Sequence, residues 1–367
     1  MIEHRPTAVE VQGLTKHYGS VVALKEVDLT IAAGEYFVLL GPSGGGKTTL
    51  LRTIGGFHRP TKGHVLLHGE DVTGLPPDKR PTSMVFQNYA LFPHMTVMGN
   101  VGYGLSLAKV AKDEIISRSE AILEMVGLKG YGKRKPHELS GGQQQRVQLA
   151  RALVLDRDIL LLDEPLAALD AQLRKDMCLE LKHLQEKVGI TFIHVTHNQE
   201  EAMTVGDRIA LIADGELVEQ GSTRQVYEAP VARFTADFIG ENNLFNGVVT
   251  SASKTKAVVD VGAGLISVDC REMSVSKGDK VSVSIRSELL RMSQMKGAAT
   301  KNDPNSLLGT FSETVYLGLT TSYRVQLESG AEVTVRAISD ETSDSAPKPG
   351  SKVRVAWKPG APRLHVS

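Results

Sequence analysis

The amino-acid sequence predicts two domains of different class, an α/β domain over residues 1–240 and a small all-β, OB-like barrel or sandwich over residues 241–367. Three observations lead there. Short apolar runs at Tyr36–Leu40, Ile159–Leu162 and Thr191–Val195 alternate with helical patterns, as a mostly parallel sheet covered by helices requires. A glycine-rich run from Gly41 to Thr48 follows the first of them and opens a helix at Thr49-Leu50-Leu51-Arg52. After Phe238-Ile239-Gly240 the helical periodicity stops, and β-type runs separated by Gly, Asp, Ser and Lys turns replace it.

The helices rest on periodicity. Leu173, Met177, Leu181, Leu184 and Val188 recur at three- and four-residue steps with charged residues between them, the stripe of a helix facing a core. A second helical stretch, about Asp113 to Gly127, suggests a separate helical lobe, placed within a subdomain of about residues 88–150. In the second domain Phe245–Val249, Lys280–Ile285, Thr321–Leu327 and Glu332–Arg336 read as strands. The polar stretch from Gln294 to Ser306 reads as a loop, and no internal repeat is evident.

Composition excludes several function classes. The 367 residues are 41% hydrophobic and 23% charged, with Lys+Arg and Asp+Glu equal at 42 each, so the chain is not built chiefly to coat nucleic acid. No segment approaches the ~20 apolar residues that span a bilayer. Met1 to Glu10 carries charges and a proline but no apolar core, unlike a secretory signal. Cys178 and Cys270 lie far apart without metal-type spacing and read as reduced structural thiols. If the protein moves a solute across a membrane, other chains must form the channel.

Gly41-Pro42-Ser43-Gly44-Gly45-Gly46-Lys47-Thr48 has the spacing G-x-x-x-x-G-K-[ST] between a strand and a helix. A polyphosphate carries several negative charges. Glycines let backbone N–H groups curl around it, and the helix N-terminus adds partial positive charge. Ser43, Gly44, Gly46, Lys47, Thr48 and Thr49 are therefore the candidate nucleotide contacts, with Lys47 reaching the terminal phosphates and the Thr48 hydroxyl a ligand for Mg²⁺. The strand-and-helix context favours this cradle over a merely flexible loop.

Ile159-Leu160-Leu161-Leu162-Asp163-Glu164-Pro165 is a buried-strand pattern ending in adjacent carboxylates. Ligands of open α/β sheets collect at the carboxyl ends of strands. Asp163 is thus a candidate Mg²⁺ ligand, directly or through water, and Glu164 a candidate base for an attacking water. Alone, such a pair is more often a solvated turn; after a phosphate loop in the same domain the balance reverses.

Leu139-Ser140-Gly141-Gly142-Gln143-Gln144-Gln145-Arg146 resembles the LSGGQ signature of ABC transporter ATPases. Further elements follow in that family's order. Tyr18 resembles the aromatic that stacks on adenine, and Gln87 the glutamine that touches Mg²⁺ and the water. Ala167-Ala168-Leu169-Asp170 resembles the D-loop, and His197 the switch histidine at the γ-phosphate. The resemblance covers roughly residues 9 to 240. It implies a P-loop ABC ATPase domain with a helical subdomain, binding ATP and Mg²⁺, with Glu164, His197 and Gln87 catalytic and Thr48, Gln87 and Asp163 at the metal. It also implies a head-to-tail homodimer in which Ser140, Gly141, Gly142, Gln143 and Asp170 meet the nucleotide held by the opposite subunit.

The chain departs from the family pattern in places. Gly45 replaces a more frequent Ser or Cys, an expected gain in flexibility; Ala167 stands for Ser, deleting one hydrogen bond across the dimer; Asn198 stands for Asp after the switch histidine. None removes a residue assigned direct chemistry.

Thr196 to Thr204, and Phe238 to Asn243, resemble solute importers and lean toward the spermidine/putrescine group. Val283 to Glu288 and Tyr316 to Thr320 resemble the TOBE-like barrel appended to those importers, with Ser287 in place of a usual Pro. That tail reads equally as a regulatory or dimer-stabilising module and as a packed barrel without ligand; it shows no basic-aromatic stripe for nucleic acid. Relatives with similar tails serve ferric iron, sulfate, sugars or phosphonates. A soluble ABC ATPase acting on ribosomes or DNA usually carries twin cassettes or a coiled-coil insertion, neither of which occurs here. The resemblance implies two transmembrane permease subunits, a separate periplasmic or surface solute-binding protein, and a peripheral position on the cytoplasmic face of the inner membrane. Tyr89–Val101, with Leu91, Phe92, Met95 and Val97, is the expected docking segment for the permease, or else ordinary core.

Overall fold

A computed structural model describes residues 5–87, 91–271, 273–295, 303–339 and 347–366. By its internal contacts the chain divides into one unit, Met1–Arg224, and a second, Gln225–Ser367.

The first unit holds strands β1 (Thr7–Tyr18), β2 (Val21–Ala32), β3 (Tyr36–Leu40), β4 (Lys62–Leu67), β5 (Glu70–Asp71), β6 (Thr82–Val85), β7 (Ile159–Asp163), β8 (Thr191–Val195), β9 (Arg208–Ala213) and β10 (Glu216–Ser222). Its helices are α1 (Lys47–Ile54), α2 (Val97–Leu107), α3 (Lys112–Met125), α4 (Gly141–Leu153), α5 (Ala171–Val188) and α6 (Gln199–Val205). A six-stranded sheet has the order β10-β9-β3-β8-β7-β6, parallel at every pairing except the antiparallel edge β9–β10. Every residue of β3, β7 and β8 is buried. That is why they read as mainly apolar runs rather than alternating ones, with Asp163 ending β7 and Thr191 and His194 the polar members of β8: a parallel strand covered on both faces has no polar side to alternate with.

A second sheet, β2-β1-β4-β5, is antiparallel, and its strands are not among those read from the sequence above. Its alternation is confined to short stretches, Val9-Glu10-Val11 and Val27-Asp28-Leu29-Thr30-Ile31, because register shifts between β1 and β2 interrupt the two-residue period on either side of them. Both sheets contribute to one apolar core that includes Val9, Leu29, Phe37, Leu50, Leu161 and Ile193.

The helical region forms as expected over Lys112–Met125, and α2 packs on α3 and α4. In α5 the stripe is uneven: Met177 and Leu181 are fully buried, whereas Leu173, Leu184 and Val188 are half-buried. Leu184 lines an open groove of about 290 Å³ beside Met125 and Leu149. Within the expected docking segment, Tyr89 lies outside the described residues. Val97 is core, while Leu91, Phe92 and Met95 are half-buried. Asn100 staples this segment from beneath, accepting from Phe92 N–H at 2.7 Å and donating to Phe92 O at 3.1 Å and Thr96 O at 3.0 Å.

The second unit begins within α7 (Thr223–Glu228) and continues through α8 (Arg233–Phe238) into β11 (Asn242–Ala252), β12 (Lys256–Asp260), β13 (Leu265–Asp269), β14 (Lys280–Arg286), β15 (Leu290–Gln294), β16 (Ser306–Tyr316), β17 (Thr320–Leu327), β18 (Glu332–Ile338), β19 (Lys352–Trp357) and β20 (Arg363–Val366). Two antiparallel five-stranded sheets, β13-β12-β11-β14-β20 and β15-β19-β16-β17-β18, share one core built on Val259, Val283, Val325 and Val355. Of the expected loop at Gln294–Ser306, residues 296–302 lie outside the described residues. The segment 225–240 joins this unit because Arg286 reaches back to it, donating to the Tyr227 and Ile239 carbonyls. Ser287, where the family pattern has proline, donates its N–H to Glu241 O at 3.0 Å, a bond proline cannot make.

Arg80 ties the sheet edge to the helix that follows the glycine loop. It is 1% exposed and donates to Thr53 O at 2.8 Å, Ile54 O at 2.7 Å and Leu75 O at 3.0 Å, capping the last carbonyls of α1. Arg80→Ala should lower unfolding free energy by about 3 kcal/mol, because two buried carbonyls of α1 and the Leu75 carbonyl lose a charged donor at once. Chemical denaturation of the purified chain checks this; a loss under about 1 kcal/mol would remove Arg80 as the cap.

Candidate functional site

Because β3, β8, β7 and β6 are neighbours and parallel, their carboxyl ends open on the same edge of the sheet. The segments leaving those ends carry Lys47 and Thr48, His197, Asp163 with Glu164, and Gln87 respectively. Parallel pairing thus gathers side chains that lie far apart along the chain.

The glycine loop is shaped by what surrounds it. At Gly41, φ is +149° and a Cβ would lie 2.0 Å from Ile212 O; at Gly46, φ is +106° and a Cβ would lie 2.6 Å from Ala23 O. Neither position admits a side chain. Gly45 is not a loose point either. It is buried, its N–H donates to Pro42 O at 3.2 Å, its carbonyl accepts from Gly215 N–H at 3.0 Å, and a Cβ would meet Ile212 O at 2.8 Å. The expected flexibility is therefore replaced by close packing. Gly46 is also the N-cap of α1, so the free N–H groups of the first helical turn face the loop.

Lys47 is 4% exposed, and its Nζ donates to Gly41 O at 2.9 Å and Pro42 O at 2.8 Å. Burial lowers its pKa, opposed by the carboxylates of Glu164 and Asp163. Thr48 Oγ1 donates to Asp163 Oδ1 at 3.0 Å, and Arg52 Nη2 pairs with Asp163 Oδ2 at 3.1 Å. A cleft of about 190 Å³ runs along this loop, lined by Ser43, Gly44, Gly46, Lys47, Thr48 and Thr49, with Glu164 on its wall.

Glu164 sits at φ +47°, a left-handed conformation uncommon for a residue with a side chain, of the kind that persists where surrounding structure over-determines it. Its Oε2 accepts from Gln87 Nε2 at 3.1 Å, and its Oε1 lies 3.5 Å from His197 Nδ1. Gln87 is steadied from behind, since Gln148 of α4 donates to Phe86 O at 2.9 Å. Asn198, standing for Asp, caps α6 by accepting from Glu200 N–H at 2.8 Å and Glu201 N–H at 3.2 Å, work that needs an oxygen but no charge.

Tyr18 is 44% exposed at the end of β1, with Lys16 Nζ 4.8 Å from its ring centre and His58 edge-on at 5.8 Å. It does not line the cleft. Nor do Ser140, Gly141, Gly142, Gln143 and Asp170. Ser140 is the N-cap of α4, its N–H donating to Gln143 Oε1 at 3.0 Å and its Oγ accepting from Gln143 N–H at 3.4 Å. Asp170 is the N-cap of α5, accepting from Leu173 N–H at 3.0 Å. Ala167 and Ala168 are exposed between the buried anchors Leu166 and Leu169. Apart from Tyr18, the candidate residues within one chain therefore form two groups: those gathered at the sheet edge beside Lys47, and those at the N-termini of α4 and α5.

The sequence reading assigned no role to Arg52, to the half-buried Arg174, or to the buried Thr196, Glu201 and His194 near His197. Arg52 follows Thr48 by one helical turn on α1, a spacing that could have revealed it. Thr196 and Glu201 fall within the importer-like segment Thr196–Thr204, while Arg174 and His194 carry no motif.

Residues 24–167 match the ABC transporter family and residues 283–364 the TOBE domain. The spermidine/putrescine import ATP-binding protein of Roseobacter denitrificans is 47% identical over 98% of this chain and 98% of its own length. The protein of that name from Rubrobacter xylanophilus is 45% identical over 97% and 93%. Among solved structures, an ATP-binding cassette captured as a dimer in a post-hydrolysis state with ADP and Pi is 36% identical, with a TM-score of 0.53 over 59% of this chain and 99% of that one. A component of the cbiONQ ABC transporter complex from Clostridium perfringens is 29% identical, with a TM-score of 0.57 over 60% and 91%. The chain belongs to the ABC transporter family and is an ATP-hydrolysing transporter subunit.

Proposed function

We propose that this subunit powers the uptake of polyamines, spermidine and putrescine being the cargo named for its relatives. The observation that carries the hydrolytic half is the gathering of Lys47, Thr48, Asp163, Glu164, Gln87 and His197 at one sheet edge, where hydrogen bonds of 3.0 and 3.1 Å link Thr48 to Asp163 and Gln87 to Glu164, and His197 Nδ1 lies 3.5 Å from Glu164. The cargo rests on relatives that match the chain over nearly its whole length.

In this reading the N–H groups of Gly44, Gly46, Lys47, Thr48 and Thr49 hold the phosphates, and the Lys47 ammonium answers their charge. The site also fits a magnesium ion. Thr48 Oγ1 and Asp163 Oδ1 converge at 3.0 Å, and among the described residues no group of three metal-binding side chains occurs, so phosphate and water would complete the shell. When bound, such an ion neutralises charge developing on the transferred phosphoryl group. Glu164 receives the proton of the attacking water, while Gln87 and His197 hold its carboxylate and the water in line. Tyr18 offers an open ring face for adenine.

The second group of residues supports a homodimer. Ser140, Gly141, Gly142 and Gln143 form the N-terminus of a 13-residue helix, and Asp170 caps an 18-residue one, and none of them lines the cleft of its own chain. A second copy set head-to-tail would bring them to the nucleotide. No helix among the described residues is long and apolar enough to cross a membrane. We infer two permease subunits and a solute-binding protein as partners, with the ATPase seated on the cytoplasmic face of the membrane.

Lys47→Ala should abolish turnover of Mg-ATP. Glu164→Gln should lower kcat by on the order of 10²–10⁴-fold while nucleotide still binds, so that the loaded variant elutes as a dimer. Unchanged turnover would remove Glu164 from the chemistry. A strain lacking the gene should lose uptake of labelled spermidine or putrescine and regain it with the wild-type chain but not with Lys47→Ala. Normal polyamine uptake in that strain would overturn the cargo assignment.

A further inference from the structure

Two loops leave Glu164's surroundings. One runs from Pro165 to Asp170 into α5; the other, Thr196-His197-Asn198, joins β8 to α6. Both start from Glu164 or its pairing partner: Ala167 N–H donates to Glu164 O at 3.3 Å, and Glu164 N–H donates to Val195 O at 3.1 Å. Beneath them lies a buried carboxylate that hydrolysis does not use directly. Glu201, in the first turn of α6, is 5% exposed.

Each oxygen of Glu201 serves a different loop. Oε2 accepts from Thr196 Oγ1 at 2.7 Å, and the same hydroxyl accepts from Asn198 N–H at 2.9 Å, so the carboxylate fixes the hydroxyl that spans His197. Oε1 faces Arg174 Nε at 3.5 Å, an ion pair rather than a hydrogen bond. The same guanidinium donates through Nη2 to Leu169 O at 2.8 Å, inside the other loop. His194, whose Nε2 is 3.7 Å from Oε2, is fully buried and shares a 3.0 Å hydrogen bond with the Tyr36 hydroxyl. Burial holds its pKa down at about 3, so it brings no positive charge. Burial raises the Glu201 pKa, and Arg174 is the nearest positive charge that opposes this, as a buried carboxylate requires. A guanidinium fork reaches a carboxylate and a carbonyl together, which an ammonium on a single stem does not.

We propose that Arg174, Glu201 and Thr196 are positioning residues for hydrolysis: a brace that couples the 165–170 loop to the 196–198 loop and so fixes His197 against Glu164. The inference rests on the ATPase reading above and adds residues that touch neither nucleotide nor water. A loop displaced by about 1 Å can cost on the order of a hundredfold in rate, so the brace acts through kcat.

The test compares kcat, KM for Mg-ATP and melting temperature of the full chain with those of Arg174→Ala, Glu201→Gln, the double variant, Thr196→Val and Thr196→Ser. Each of the first two, and Thr196→Val, should lower kcat by on the order of tenfold with KM changed less than about twofold. The double variant should be no slower than its slower parent, since the pair acts as one unit. Thr196→Ser keeps the hydroxyl and should keep the wild-type kcat. Thr196→Val is nearly isosteric, so it reports even if Arg174→Ala folds poorly. Wild-type kcat in Thr196→Val, or additive losses in the double variant, would overturn the brace. With Lys47→Ala still inactive, that result would leave the ATPase reading intact; turnover insensitive to Lys47→Ala would instead sink the ATPase reading itself.

Discussion

Parallel pairing of β3, β8, β7 and β6 is the constraint from which the chemistry of this chain follows. Strands that run the same way release their following segments on one side. Here the pairings Leu39 with Val195, Asp163 with Val195, and Val85 with Leu162 bring those strand ends level with one another. The strands are buried throughout β3, β7 and β8, so the register is set by packing rather than by solvent-facing contacts. Once it is set, the Thr48–Asp163 hydrogen bond and the contacts of Glu164 with Gln87 and His197 need only short side chains to close.

The glycine loop is rigid for the same reason. Ile212 of β9 stands beside β3 and leaves no space for a Cβ at Gly41 or Gly45, while Ala23 does the same at Gly46. The carbonyls of Gly41 and Pro42 hold Lys47 folded over the loop. These neutral acceptors leave the ammonium's charge to Asp163 and Glu164 and to whatever anion the cradle receives. Arg80 closes the far end of α1, so the helix that presents the loop is fixed at both ends.

Departures from the family pattern become intelligible when their backbone partners are known. Gly45 is packed rather than flexible, Asn198 retains the cap that an aspartate would make, and Ser287 uses an N–H that proline lacks. Ala167 is exposed in the loop that Arg174 holds through Leu169, and no contact within its own chain accounts for the alanine there.

Local patterning alone reveals the phosphate loop, the adjacent carboxylates Asp163 and Glu164, and the strands Tyr36–Leu40, Ile159–Leu162 and Thr191–Val195 of the parallel sheet. Each is a spacing that a turn or helix start demands, or an apolar run that only a doubly covered strand tolerates. The antiparallel sheet of β1, β2, β4 and β5 is only partly legible: Val27-Asp28-Leu29-Thr30-Ile31 alternates, but register shifts along β1 cut the pattern short. Folding in three dimensions is what makes Arg80 the cap of α1, Asn100 the staple of the segment before α2, and Arg174 the partner of Glu201 beneath His197. Those are buried or half-buried polar residues whose partners lie elsewhere in the chain or on backbone atoms. Along the chain they look like any surface polar group, and it is the loss of water around them that makes their partners matter.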